Sequence, residues 1–120
     1  MTMKIQSIAE KGNLEKERVV IRVVKPIDAG EYLLLCTGFS NGSVNTGVVA
    51  TFWFPDKEVN TDDLVVVYTK SGNPSEKQLD GGRKAHFFYW GRSNPLWGPA
   101  EKGVVLLHAP VWESKSTSEV

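Results

Sequence analysis

The chain has a single cysteine, Cys36, among 120 residues. One thiol can form neither an internal disulfide nor a multi-cysteine zinc site. Long hydrophobic runs are also missing. Runs such as Tyr32-Leu33-Leu34-Leu35-Cys36 and Val104-Val105-Leu106-Leu107 fall far short of the ~20 residues that span a bilayer as a helix. The first residues, Met1-Thr2-Met3-Lys4-Ile5-Gln6-Ser7, lack the charged and apolar regions of a secretory signal. Neither sign of charge is in excess, with 14 Lys+Arg against 14 Asp+Glu. A neutral chain does not bind nucleic acid or an anionic membrane by bulk electrostatics. These absences predict a cytoplasmic protein with no membrane segment and no nucleic-acid partner.

Helical patterning is absent too, since no stretch of a dozen residues repeats at helical spacing. Instead there are 15 Val and 7 Thr against 6 Ala. β-Branched side chains suit a pleated, half-buried surface and lose rotamer freedom in a helix. Seven strands are predicted, over residues 3–9, 17–25, 31–37, 48–54, 64–69, 85–90 and 104–108. The second alternates most clearly, with Val19, Ile21 and Val23 on one face and Arg18, Val20 and Arg22 on the other. Ser40-Asn41-Gly42-Ser43 and Asn45-Thr46-Gly47 predict a hairpin with a long tip between the third and fourth strands. Residues 70–84 and 91–103 read as loops, the latter holding Pro95 and Pro99. Residues 109–112 read as a short edge piece, which tolerates Pro110.

Seven short strands separated by turn signals predict an all-β, antiparallel sandwich. The expected layout is one domain over residues 1–113 and a flexible tail over residues 114–120. The expected core draws on Ile5, Val19, Ile21, Val23, Leu34, Phe52, Leu64, Val66, Phe87 and Leu106.

Three pieces of the sequence resemble the lamin-tail domain family. Gly12-Asn13-Leu14-Glu15-Lys16-Glu17-Arg18-Val19-Val20-Ile21 is similar to its opening turn and strand. Phe54-Pro55-Asp56-Lys57-Glu58-Val59, followed by Leu64-Val65-Val66-Val67-Tyr68, is similar to its step into a later strand. Leu96-Trp97-Gly98, followed by Gly103-Val104-Val105-Leu106-Leu107, is similar to its ending. The resemblance implies an immunoglobulin-like sandwich of seven to eight strands that acts as an interaction module. It implies no catalytic residues and no cofactor. Members of that family occur in nuclear lamins and as appended domains on bacterial secreted or membrane proteins.

One segment stands out. His86-Phe87-Phe88-Tyr89-Trp90-Gly91-Arg92-Ser93-Asn94-Pro95-Leu96-Trp97 carries five of the twelve aromatic residues. On a strand, Phe87 and Tyr89 would face one side and His86, Phe88 and Trp90 the other, so both faces are apolar. With Phe87 assigned to the core, the other face needs a cover. One reading folds the following loop back so that Trp97 caps that face. The other makes His86, Phe88, Trp90, Arg92, Asn94 and Trp97 a binding surface for a protein, a second copy of the chain or a small ligand such as a saccharide.

Other candidates are weaker. The acidic stretch over residues 56–63 lacks calcium-loop spacing and reads as a solvated loop, with Asp62 or Asp63 ending a turn. His86 and His108 could form an acid–base or metal pair if their strands lay side by side, but no ligand spacing supports it. Gly81-Gly82-Arg83-Lys84 lacks a phosphate-loop signature and reads as a plain turn. Cys36 reads as a small buried hydrophobe. The sequence therefore predicts a non-enzymatic, self-associating interaction domain with no metal, and a ligand-binding module as the alternative.

Overall fold

A computed structural model describes residues 1–98 and 100–120. Pro99, placed in a loop above, lies outside the described residues. Ten strands run in chain order: β1 Met3–Ala9, β2 Arg18–Val23, β3 Ile27–Asp28, β4 Tyr32–Ser40, β5 Ser43–Trp53, β6 Glu58–Val59, β7 Leu64–Tyr68, β8 Ser75–Gln78, β9 Lys84–Tyr89 and β10 Gly103–His108. The only helical elements among the described residues are single 3-10 turns at Ala29–Glu31 and Asp80–Gly82. No helix among the described residues is long and apolar enough to cross a membrane.

Two larger sheets face each other across one core. The five-stranded sheet has the order β1-β2-β7-β9-β8, and the three-stranded sheet has the order β10-β4-β5. A two-stranded ribbon, β3-β6, completes the set. All pairings are antiparallel except β7 with β9, which is parallel. The wholly antiparallel expectation is corrected at this point. The segment after Tyr68, read as a loop, is long enough for a crossover, and β8 forms within it as the outer partner of β9.

The alternation of β2 sorts as its sequence dictates. Val19, Ile21 and Val23 are fully buried, whereas Arg22 is exposed. From the facing sheet come Tyr32, Leu34 and Cys36, all fully buried in the same cluster. Ile5 departs from its expected core place and is 36% exposed, because β1 is an edge strand whose register shifts between Ile5 and Ser7. Leu64 and Phe87 are half-buried on the outer face of the five-stranded sheet.

The hairpin tip is tight rather than long. Ser40 pairs with Ser43 around Asn41 and Gly42, whose φ values are +53° and +79°. Two successive left-handed residues make a primed turn that matches strand twist. Asn45 and Gly47 are taken up inside β5, beside irregularities in the β4–β5 register. Residues 109–112 form no strand. Instead Trp112 packs edge-on against Trp53, with ring centroids 5.0 Å apart. Residues 114–120 are exposed throughout.

Candidate functional site

The aromatic segment faces the opposite way from its expected orientation. Phe88 pairs with Val67 and Phe87 with Val66 in the parallel register. Val67 belongs to the shared core, so His86, Phe88 and Trp90 turn inward with it. Phe88 meets Phe52 and Phe54 of the facing layer, and Trp90 meets Phe52. Trp97 folds back onto Trp90 at 6.1 Å and is 5% exposed. The fold-back loop thus closes the core, as one of the two readings had it. His86 and Phe88 are buried as well, while Arg92 and Asn94 are exposed. These six residues do not make one continuous surface.

The outward pair, Phe87 and Tyr89, is also occupied. Tyr68 stacks on Tyr89 at 5.4 Å, and Arg18 and Lys70 lie over the Tyr68 ring. A Cβ on Gly72 would sit 2.6 Å from the Tyr89 ring, so the backbone there lies against the ring's face. Arg18 and Arg22 take the outer face, as read from β2.

His86 is one of several polar residues buried among the apolar ones. Its Nε2 lies 2.9 Å from Asp63 Oδ2, and both side chains are 3% exposed. Asp63 also accepts the backbone N–H groups of Asn60 and Lys84. Burial pushes the Asp63 carboxyl upward, but the His86 contact and those two N–H groups outweigh it and hold the group below its ordinary range. The residue read as a turn-ender is therefore a buried anchor. On the far side of the ring, His86 Nδ1 lies 3.6 Å from Glu76 Oε1, to which Lys57 is ion-paired. The hydrogen bond from Lys57 is the main cause holding the Glu76 carboxyl low.

His108 lies elsewhere. It ends β10 in the other sheet, stacks on Tyr32 at 4.5 Å and bonds Glu31 at 2.9 Å. The two histidines share no strand pairing, because β9 and β10 belong to different sheets. Among the described residues no group of three or more His, Cys, Asp or Glu side chains is placed to hold a metal ion. Cys36 is fully buried, and desolvation raises its thiol pKa against the weaker pull of Lys102 and Arg92.

Two features escaped the sequence. The first is Glu17, a carboxylate with no solvent exposure. Its Oε1 accepts the Gly12 N–H at 2.8 Å, and its Oε2 accepts the Thr69 hydroxyl at 2.5 Å and the Leu96 N–H at 2.8 Å. It gathers the turn before β2, the end of β7 and the loop after β9. The sequence reading had it only as the first residue of the strand over residues 17–25. Within the charged run Glu15-Lys16-Glu17-Arg18 nothing local set it apart.

The second is the outer face and free edge of the three-stranded sheet. Leu107, Leu33 and Trp53 stand in one cross-strand row. With Trp112 they line an apolar cavity of about 340 Å³. Beside them β5 is an edge strand of eleven residues, with Val44, Val48, Val49 and Trp53 each about half exposed.

The chain matches no family model and no curated protein.

Proposed function

We propose that the chain is a non-enzymatic interaction domain, immunoglobulin-like and of the lamin-tail type, that self-associates through β5. The observation that carries this reading is the chemistry of that edge. No charged residue stands between Glu31 and Asp56 in the sequence, so all of β5 is uncharged. Natural sheets protect free edges with charge, brevity or a cover. The edge strand β1 carries Lys4, and β8 is four residues long with Glu76 and Lys77. The uncharged edge β10 is six residues long, and the C-terminal segment runs past its end beside Leu107. Only β5 is long, uncharged and lined by exposed valines.

A second copy is the partner such an edge fits. Two β5 strands related by a two-fold axis would pair antiparallel without like-charge repulsion and satisfy each other's free N–H and C=O groups. The half-exposed Trp53 and the Leu33–Leu107 row add apolar area beside the seam. Hydrogen exchange tests the pairing. The outward amides of β5 are expected to gain protection as protein concentration rises, while those of β8 do not. Equal exchange of β5 at all concentrations would remove the reading.

The alternative is a small-ligand module using the aromatic segment, of which His86, Phe87 and Phe88 line a cavity of about 380 Å³ together with Lys57 and Glu76. Trp97 lines a separate cavity at the edge of the core.

A further inference from the structure

The strands of the larger sheet, β1, β2, β7, β9 and β8, contain one acid, Glu76, and five cations. Register sorts these charges by face. Glu76 pairs with the inward His86, and Lys84 with Gln78 on the same side, where Lys84 Nζ lies 3.7 Å from Glu76 Oε2. Lys4 pairs with Arg22, and Arg18 shares their face of β2. Lys77 pairs with Ala85, two residues before the outward Phe87. The four remaining cations therefore stand on the outer face, and no outward strand position holds an Asp or Glu. The chain as a whole is neutral, so the charge on this face arises from placement alone.

Lys4 and Lys77 have no ion pair among the described residues. At the rim, Arg22 reaches Asp62 only at 3.9 Å and Lys70 reaches Glu15 only at 3.7 Å, and such solvent-screened pairs are worth little. Between the cations the surface is apolar. Val20, Val66 and Phe87 form one cross-strand row, of which only Val66 is buried, and Leu64 is half-buried on the same face.

Cations with no acid among them select an anionic partner. Rings open for base stacking are missing: Tyr68 and Tyr89 stack on each other, Arg18 and Lys70 lie over Tyr68, and the Gly72 backbone lies against Tyr89. A single nucleic-acid strand thus finds no platform. Val20, Leu64 and Phe87 are only half-exposed, so none stands up to enter a bilayer. A flat apolar centre flanked by cations suits a protein segment whose own apolar residues are flanked by acids.

We propose that the outer face of the five-stranded sheet docks an acidic, partly apolar segment of a partner protein. This surface belongs to the sheet opposite β5 and is independent of self-association. From β1 to β8 the sheet measures about 19 Å at the usual strand spacing, which about six extended residues cover. Such a segment sets carboxylates against Lys4 and Arg22 on one side and Lys77 on the other, with its apolar residues over Val20 and Phe87.

The test uses the full chain and a fluorescein-labelled heptapeptide with Leu-Phe-Leu at its centre and two acids at each end, followed by anisotropy at two ionic strengths. The expected result is saturable binding that weakens with salt. Arg22→Glu/Lys77→Glu should bind about tenfold more weakly, the scale of reversing two exposed charge contacts. Arg22→Gln/Lys77→Gln, which adds no repulsion and keeps the measurement available if the reversal disturbs folding, should bind about threefold more weakly. Lys115→Glu in the tail and Val49→Lys on β5 should bind like the native chain. No saturable binding, native affinity in both double variants, or equal binding of a peptide with Asn and Gln in place of its acids would overturn the proposal. Tighter, Arg22-dependent binding of a thymidine oligonucleotide or of phosphatidylserine vesicles would assign the face to another class of partner and overturn it as well.

Discussion

Glu17 and Leu96 are 79 positions apart in the chain, yet the Glu17 carboxylate accepts the Leu96 backbone N–H at 2.8 Å in a site closed to solvent. The same oxygen takes the Thr69 hydroxyl, and its twin takes the Gly12 N–H. One charged side chain thus replaces water for three donors on three separate segments. Charge-assisted bonds of this kind offset the cost of burying the carboxylate only while all of them are made.

Glu17→Ala should therefore lower stability by about 3 kcal/mol, the scale of stranding several buried donors together. Urea unfolding reads this as a fall in midpoint with little change in slope. Glu17→Gln should cost less, since its carbonyl oxygen still accepts. A loss under about 0.5 kcal/mol in the alanine variant, the size of an ordinary surface change, would show that the three segments hold together without it.

Acid sensitivity should trace to Asp63. Its folded-state pKa is depressed, so the stabilisation it supplies is fully present above the ordinary carboxylate value near pH 4 and is lost as pH falls through the lower folded value. Asp63→Asn should be less stable at neutral pH and should show a flatter stability profile below about pH 4. Thermal midpoints at a series of pH values measure both effects. A profile as steep in the variant as in the native chain would assign the acid dependence to other carboxylates.

Cys36 should be inert in the folded state. Burial raises its thiol pKa, and reactivity follows the thiolate fraction and access. A disulfide exchange reagent should label it only at the rate of global opening, and labelling should accelerate in urea in step with unfolding. Fast stoichiometric labelling without denaturant would contradict the closed packing of β4 against the Leu96 loop, whose carbonyl lies 3.9 Å from the sulfur.

The seven strands read from the sequence correspond to β1, β2, β4, β5, β7, β9 and β10, because short apolar runs bounded by turn residues, alternating clearly in β2, are a local property of the chain. β3, β6 and β8 were not legible. They are two to four residues long, and β8 is wholly exposed and polar, so a partner strand rather than composition makes them strands. The facing of β9 was also beyond the sequence. His86, Phe88 and Trp90 on one side and Phe87 and Tyr89 on the other are equally apolar, and period-two patterning then has no sign. Glu17 and Asp63 were missed for a related reason. A carboxylate is normally solvated, and only tertiary contacts from Gly12, Thr69, Leu96 and His86 make these two internal.

The edge chemistry of β5 is tested most directly by sedimentation velocity of the full chain at micromolar concentrations, beside Val49→Lys. Val49 is 49% exposed, so the lysine should leave monomer stability within about 0.5 kcal/mol while placing a charge on the seam. The expected result is a concentration-dependent dimer for the native sequence and a monomer for Val49→Lys. A native chain that sediments as a monomer throughout, or a dimer indifferent to the lysine, would contradict association through β5.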